Sequence, residues 1–193
     1  MKIACVLGAN GGIGSAVADT LANDFPVILF DRNQVDFSKP NIDVKLKENL
    51  IPVDPDLIVN CVGHFPKDTE THNLAMDVNF GSNWALIKYY MENPPSKPVK
   101  IIMVGSSAYK QGRKNYMLYA ASKAALYNLW QSCNEYFENS NVSVSLINPV
   151  KTKTRMMDPS STRYLLPEDV ANRILSMSLN DKSECIDLDY GKE

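Results

Sequence analysis

The chain has few of the residues that build metal or disulfide sites, and it has no surplus of positive charge. Of its 193 residues, two are histidines and four are cysteines, and no two cysteines form a Cys-x-x-Cys pair. We therefore expect reduced thiols and no metal site. Lys and Arg number 20 against 22 Asp and Glu, which gives a net charge of −2. This balance argues against a nucleic-acid partner, because domains that bind nucleic acids carry a basic surplus.

Long hydrophobic runs are also missing. The sequence contains no run of about 18 apolar residues, the length that a membrane span needs. The apolar stretch after Met1-Lys2 ends at Gly8 and is too short for a secretion signal. We therefore expect a cytoplasmic protein with no membrane partner. With 45% hydrophobic and 22% charged residues, the composition is that of an ordinary globular chain, and we expect residues 1–193 to form a single domain.

Short apolar runs alternate with segments of helical periodicity along the whole chain. Such runs are typical of strands that are buried on both faces of a parallel sheet. The pattern predicts strands at Ile3–Leu7, Val27–Phe30, Leu57–Val62, Ile101–Val104, Val142–Ile147 and Cys185–Leu188. It predicts helices at about Ile13–Ala22, Ile42–Leu50, Leu74–Met91, Tyr116–Glu138 and Pro167–Met177. This alternation predicts an α/β fold with a doubly wound parallel sheet.

A glycine-rich turn separates the first predicted strand from the first predicted helix. In Gly8-Ala-Asn-Gly-Gly12-Ile-Gly14, the glycines permit a tight bend and let backbone amides approach a pyrophosphate. The helix N-terminus adds about half a positive charge that faces the anion. Because the turn lies between a buried strand and an amphipathic helix, we favour nucleotide binding over an ordinary tight turn. The predicted cofactor-binding residues of this turn are Gly8, Asn10, Gly12, Ile13 and Gly14.

An acidic residue ends the second predicted strand. Asp31 lies seventeen residues after Gly14, close to the separation at which an acidic side chain accepts hydrogen bonds from the adenosine ribose of NAD. Its charge would repel the 2′-phosphate of NADP, whereas the adjacent Arg32 could bind that phosphate. Both NAD and NADP are therefore candidate cofactors, and Asp31 slightly favours NAD.

Tyr119 and Lys123 form a Tyr-x-x-x-Lys pair on the long helix predicted at Tyr116–Glu138. Residues four apart project from one face of a helix, so the ammonium can lie beside the phenol. A neighbouring positive charge favours the phenolate and lowers the tyrosine pKa from its ordinary value of about 10. Such a phenol can exchange a proton with a carbonyl or alcohol oxygen while hydride moves at the carbon.

Together these motifs resemble those of the short-chain dehydrogenase/reductase family, and the likeness runs from Ile3 to about Gly191. The resemblance implies a Rossmann fold and an NAD(P)-dependent oxidoreductase that transfers hydride between nicotinamide and a carbonyl or secondary alcohol. It implies that Tyr119 exchanges the proton, that Lys123 lowers the tyrosine pKa and holds the nicotinamide ribose, and that Asn79 belongs to the proton relay. It further implies cofactor contacts at Asn60, Gly63, Pro149 and Thr154.

Two serines end the strand at which the family keeps its catalytic serine. The thirteen-residue spacing to Tyr119 points to Ser106, whereas matching the Ser-Ser pair to family members points to Ser107. We favour Ser107 as the residue that donates a hydrogen bond to the substrate oxygen.

The chain is shorter than most members of the family. The segment after the second strand leaves no room for a helix before Asp36, which resembles the aspartate of the family's third strand. We therefore expect the crossover helix that the family has between its second and third strands, before Asp36 in this chain, to be missing; the helix predicted at Ile42–Leu50 comes after that point. Asp36 and Phe37 would then flank the adenine of the cofactor.

Cationic residues are concentrated in two loops that we expect at the carboxyl edge of the sheet, where ligands bind in this class of fold. They favour an anionic small-molecule substrate over a neutral one. The two loops are similar to those in the reductase half of bifunctional enzymes that make activated ribitol, which implies a phosphorylated sugar or polyol. The six residues are Lys110, Arg113, Lys114, Lys151, Lys153 and Arg155.

Two further expectations concern activity and assembly. The alternative to an enzyme is a catalytically silent NAD(P)-binding sensor or scaffold protein of the same fold. Proteins of that kind usually lose the Tyr or the Lys, and this chain keeps both, so we favour the enzyme. The helix predicted at Tyr116–Glu138 has apolar residues on more than one face, which is typical of a helix that is also buried on a second side. Together with the resemblance, this predicts a homodimer or homotetramer.

Overall fold

In the computed structural model, residues 2–39, 42–66, 73–157 and 160–191 are described, and they form a sheet of six parallel strands with helices on both faces. The strands pair in the order β2-β1-β3-β4-β5-β6. Because the chain runs outward from β1 to β2 and then returns to β3 on the other side of β1, a crevice forms at the carboxyl ends of β1 and β3. The strands are β1 (Ala4–Leu7), β2 (Val27–Phe30), β3 (Leu57–Asn60), β4 (Val99–Val104), β5 (Val142–Pro149) and β6 (Cys185–Leu188).

The helices form one layer on each face of the sheet. They are α1 (Gly12–Leu21), α2 (Ile42–Asn49), α3 (Asn73–Met76), α4 (Ser82–Glu92), α5 (Met117–Tyr136) and α6 (Pro167–Ser178). Leu21 of α1 and Ile174 of α6 belong to the core on one face. Leu86 of α4 and Leu126 of α5 belong to the core on the other face, together with residues of α2. The single-domain α/β fold with a doubly wound parallel sheet is therefore confirmed.

The connection from β2 to α2 is short. Residues 31–39 form turns with no helix, as predicted, and they form no strand at Asp36 either. Val35 and Phe37 instead direct their side chains into the core beside Leu46 of α2. The strand that the resemblance implied at Asp36 is thus absent from residues 31–39, and β2 is an edge strand of the sheet.

The segment between β3 and β4 contains an irregular helix. The periodicity predicts one continuous helix over Leu74–Met91, whereas the structure inserts a π-helical turn, Asp77–Gly81, between α3 and α4. A π turn holds one more residue than a regular turn, and it frequently occurs at functional sites. Here it accompanies the complete burial of the polar residue Asn79.

Two general properties complete the fold. None of the described helices combines the length and the apolar character that crossing a membrane requires. All four cysteines are free thiols, and two of them, Cys5 and Cys133, are buried in the core.

Candidate active site

A cleft of about 640 Å³ opens at the carboxyl edge of the sheet. Its wall is built from the segments that follow the parallel strands and from one face of α5. This is the position at which doubly wound folds bind their ligands. The wall includes Gly8, residues 10–13, residues 31–33 and 35–38, residues 61–63, Val104 and Gly105, Tyr119 and Lys123, and residues 154–156.

The glycine turn after β1 fits a pyrophosphate. Gly8 has φ +76°, a left-handed conformation that favours glycine. A Cβ on Gly14 would collide with the Gly8 carbonyl oxygen, so Gly14 permits α1 to start against the turn. Gly11, the N-cap of α1, makes no side-chain capping bond, and Gly12 and Ile13 of the first turn line the cleft. Backbone amides without a side-chain cap, at the positive end of a helix dipole, suit a phosphate anion.

Asp31 follows β2 and lies in the wall next to Arg32. Its Oδ2 accepts a hydrogen bond from Asn10 Nδ2 at 2.6 Å, and its Oδ1 accepts one from the Asn33 backbone amide at 2.7 Å. These bonds connect the segment after β2 to the glycine turn and hold the carboxylate at the cleft, close to where the sequence pattern predicts a ribose.

Asp36 and Phe37 lie further along the same segment and also line the cleft. The Asp36 carboxylate accepts hydrogen bonds from the Ser38 amide at 2.9 Å and from the Ser38 hydroxyl at 2.6 Å. Hydrogen bonding by Ser38 holds the pKa of Asp36 below its ordinary value. Most of the Phe37 side chain is packed in the core, so of these two residues Asp36 is the one that offers a polar group to the cleft.

Tyr119 and Lys123 project from α5 into the cleft, one helical turn apart. The Lys123 Nζ donates a hydrogen bond to the Val104 carbonyl oxygen at 3.0 Å and lies 5.7 Å from the centroid of the Tyr119 ring. Burial lowers the pKa of Lys123 to about 8, and the Cys61 thiol in the same wall opposes this change.

The pKa of Tyr119 is raised, which corrects our expectation that Lys123 lowers it. Burial of the phenol is the largest cause, and hydrogen bonding with the Ser106 hydroxyl opposes it. The ring of Phe65 packs edge-on against Tyr119 at a centroid distance of 4.9 Å, and that of Tyr116 at 6.0 Å. Tyr119 is therefore a protonated phenol at neutral pH and suits the role of a proton donor.

Ser106 is the serine that the structure brings to Tyr119, whereas we expected Ser107. Ser106 is the N-cap of the short 3₁₀ turn Ser107–Lys110, and its Oγ accepts a hydrogen bond from the Ala108 amide at 3.2 Å. Ser107 is the first residue inside that turn. The structure thus brings Ser106 rather than Ser107 next to the phenol, and which of the two serines acts on a substrate stays a prediction.

Asn79 joins the loop after β3 to α5. Its Oδ1 accepts a hydrogen bond from the His64 amide at 2.7 Å, and its Nδ2 donates to the His64 carbonyl oxygen and to Ser122 Oγ, both at 3.0 Å. Ser122 Oγ in turn donates to the Tyr119 carbonyl oxygen at 2.8 Å. These contacts give Asn79 a positioning role near Tyr119, and its part in a proton relay stays a prediction.

Three predicted cofactor residues are not part of the described cleft wall: Gly14, Asn60 and Pro149. Asn60 is buried, where its Nδ2 donates to Ser82 Oγ at 3.0 Å and its Oδ1 accepts from the Val62 amide at 3.1 Å. It thereby shapes the turn that carries Gly63, which does line the cleft. Pro149 is the last residue of β5, and the loop that follows it carries Thr154, which does line the cleft.

Several residues of the wall were not predicted. Gly11 lies within the glycine-rich turn Gly8–Gly14, and Cys61 lies between Asn60 and Gly63, so the predicted residues on either side could have indicated both. Leu74 and Val78 come from the irregular helix, whose face toward the cleft depends on the π turn. The wall residues without a prediction are Gly11, Asn33, Val35, Ser38, Cys61, Val62, Leu74, Val78, Val104, Gly105 and Met156.

Of the six cationic residues expected at the mouth, Arg155 is the one in the described cleft wall. Lys110 forms an ion pair with Asp187 at 2.8 Å, and the Lys151 Nζ donates a hydrogen bond to Ser161 Oγ at 3.1 Å. The structure therefore does not gather the six cations around one anion, and they give little support to an anionic substrate.

Similarity to known proteins agrees with this geometry. The family model described as short chain dehydrogenase matches residues 45–164. The bifunctional ribulose 5-phosphate reductase/CDP-ribitol pyrophosphorylase of Haemophilus influenzae is 30% identical over 173 residues, which cover 80% of this chain but 35% of that protein. This chain thus spans about a third of that relative's length. The 3-oxoacyl-acyl-carrier-protein reductase of Rickettsia felis is 26% identical over 222 aligned positions, which cover 94% of this chain and 91% of that protein.

Solved structures share the fold over nearly the whole chain. A 4-hydroxyisoleucine dehydrogenase complexed with NADH superposes with a TM-score of 0.83 at 21% identity and covers 99% of this chain and 98% of that one. A short chain dehydrogenase from Burkholderia cenocepacia J2315 in complex with NADP gives a TM-score of 0.82 at 20% identity, with coverage of 98% and 97%.

Proposed function

Because the chain belongs to the short-chain dehydrogenase family and is thereby an NAD(P)-dependent oxidoreductase, we propose that it moves hydride between nicotinamide and a carbonyl or secondary alcohol in this cleft. One observation carries the proposal: the glycine turn, Asp31, Tyr119 and Lys123 line the same cleft. The groups suited to hold a dinucleotide thus face the group suited to transfer a proton.

Different residues of the wall would hold different parts of a bound dinucleotide. The turn from Gly8 to Ile13 would hold the pyrophosphate, Asp31 the adenosine ribose, Asp36 the adenine, and Lys123 the nicotinamide ribose. The cofactor, when bound, supplies or accepts the hydride. The Asp31 carboxylate, held in place by Asn10 at 2.6 Å, favours NAD because it would repel a 2′-phosphate.

Tyr119 and Ser106 act on the substrate oxygen. The raised pKa keeps the Tyr119 phenol protonated at neutral pH, so it can donate its proton to a carbonyl oxygen during reduction. The Ser106 hydroxyl lies next to the phenol and would donate a second hydrogen bond as negative charge develops on that oxygen.

The proposed substrate is a phosphorylated sugar or polyol. Its support is the 30% identity with the Haemophilus influenzae protein, whose name includes ribulose 5-phosphate reductase. The 35% of that protein that this chain spans would correspond to its reductase part.

We also propose that the protein works in the cytoplasm as a homo-oligomer. Four free thiols suit a reducing compartment. Met117 and Tyr136, at the two ends of α5, are 70% and 57% exposed, so the helix carries large side chains outside its buried stripe. A second copy of the chain would cover such a surface.

The test of the oxidoreductase proposal is Tyr119→Phe. Reduction of a panel of ketoses and ketose phosphates is followed at the nicotinamide absorbance band, with NADH and with NADPH. We expect Tyr119→Phe to lower kcat by about a hundredfold or more, because the proton donor is lost, and to leave NADH binding intact. Tyr116→Phe is the matched control, since it keeps the ring that packs on Tyr119 and should keep its activity.

Two outcomes contradict parts of this proposal. Unchanged turnover in Tyr119→Phe would remove Tyr119 from the mechanism. Tight NADH binding by the wild type without turnover of any compound in the panel would instead support a silent sensor or scaffold protein.

A further inference from the structure

The loop after β5 lies directly over the glycine turn. The Thr154 side chain is so close to Gly12 that a Cβ there would be 2.8 Å from the Thr154 Cγ2. The stem of the loop is held by backbone hydrogen bonds from Lys153 to Leu165 and from Leu165 to Lys151, both at 2.8 Å. The hydrogen bonds at Lys151, Lys153 and Leu165 and the contact with Gly12 thus hold Thr154 against the start of α1.

Arg155 is the next residue, and it lines the cleft together with Gly12 and Thr154. Thr154 Oγ1 accepts a hydrogen bond from the Met156 amide at 3.3 Å, and the Thr154 carbonyl oxygen accepts one from Met157 at 3.1 Å. These bonds form a turn that presents Arg155 at its corner. Within the described part of the chain, no hydrogen bond or ion pair engages the Arg155 guanidinium.

From this placement we infer that Arg155 binds the pyrophosphate of the dinucleotide next to the start of α1. The inference rests on the proposed function. A pyrophosphate carries about two negative charges, whereas the helix N-terminus offers about half a positive charge. The guanidinium supplies a full charge and two parallel N–H donors that match phosphate oxygens. Asp31 and Asp36, the carboxylates in the wall, lie after β2, in the segment proposed for the adenosine end.

Calorimetric titration of the full chain with ADP and with NADH tests this role. We expect Arg155→Met to weaken the binding of both ligands by about tenfold, because one charge-assisted phosphate contact is lost. The salt dependence of ADP affinity should also become shallower, since one cation fewer meets the phosphates. Lys151→Met is the matched control: it removes a cation from the same loop whose Nζ bonds to Ser161 Oγ, and ADP affinity should not change.

The outcomes separate the inference from the proposed function. Equal ADP affinity and equal salt dependence in the wild type and in Arg155→Met would overturn the inference. A rise in the KM of a phosphorylated substrate with unchanged ADP affinity would also overturn it and would assign the guanidinium to the substrate anion. Failure of the wild type to bind either ADP or NADH would overturn the proposed function as well.

Discussion

The side-chain amine of Lys123 is buried in the interior of the fold, close to the ring of Tyr119. Burial lowers its pKa to about 8, from the ordinary value of 10.5. The unfolded chain therefore holds this proton more tightly than the folded chain between those two pH values. Burial of the charge costs stability in full below about pH 8, and the cost is relieved as the pH rises from 8 to 10.5.

Replacing Lys123 by Met should show this pH dependence directly. At pH 7 we expect Lys123→Met to raise the free energy of unfolding by about 1–2 kcal/mol, after allowance for the lost bond to the Val104 carbonyl oxygen. The gain should shrink as the pH rises toward 10. Urea denaturation at several pH values measures it. Lys114→Met, at an exposed position, is the control, and a gain that grows with pH would contradict the explanation.

The sequence indicated some of these residues but not their contacts. The spacing of Tyr119 and Lys123 places both on one face of α5, and the structure has them there. Spacing does not determine where a flexible ammonium forms its hydrogen bond, and here it bonds to the Val104 carbonyl oxygen. The choice between Ser106 and Ser107 depended on where the strand ends and the next turn begins, which an apolar run does not define to one residue.

β2 is an edge strand of the sheet, because no further strand forms in residues 31–39 to pair with it. Ile28 and Leu29 of this strand are 37% and 52% exposed. An apolar edge strand with unpaired backbone groups can pair with a strand of another chain. We expect this edge to be the start of aggregation when the protein is warmed or concentrated.

A lysine at Leu29 should protect the edge. We expect Leu29→Lys to slow the growth of turbidity on mild heating, with stability changed by about 0.5 kcal/mol or less, since the side chain is half exposed. Leu179→Lys is the matched control, because Leu179 is 70% exposed at the end of α6 and lies outside the strands. Equal aggregation rates in the wild type and in Leu29→Lys would exclude the edge as the cause.

The bounds of helices and strands were predicted best where a run of apolar residues alone determines them. The bounds Val27–Phe30 and Cys185–Leu188 agree with the structure. The likeness of Asp36 to the aspartate of the family's third strand does not extend to the backbone, because Val35 and Phe37 pack in the core and residues 31–39 form turns. The interruption of the helix over Leu74–Met91 was missed, since apolar residues lie on both sides of the π turn and no proline within it marks a break.

In the molecule as a whole, α5 exposes two large side chains, Met117 and Tyr136, and the proposed homo-oligomer would cover them. We expect light scattering at micromolar concentration to give the mass of a dimer or tetramer. Tyr136→Lys, at a position 57% exposed on α5, should lower that mass, whereas Tyr164→Lys, at a position 37% exposed in the loop after β5, should not. A monomeric mass for the wild type would refute the homo-oligomer.

The π turn at Asp77–Gly81 limits where this chain can tolerate a change of length. Deleting one residue there would convert the π turn into a regular α turn: the rotation of α3 relative to α4 would change little, because the π turn takes up its additional residue as a bulge, but the backbone that carries Asn79 would shift. Asn79 could then no longer meet both His64 and Ser122. A single-residue deletion at the π turn would therefore weaken the connection that Asn79 makes between the loop after β3 and α5. Homologous chains with this site should therefore conserve the number of residues in that turn, even where the residues themselves differ.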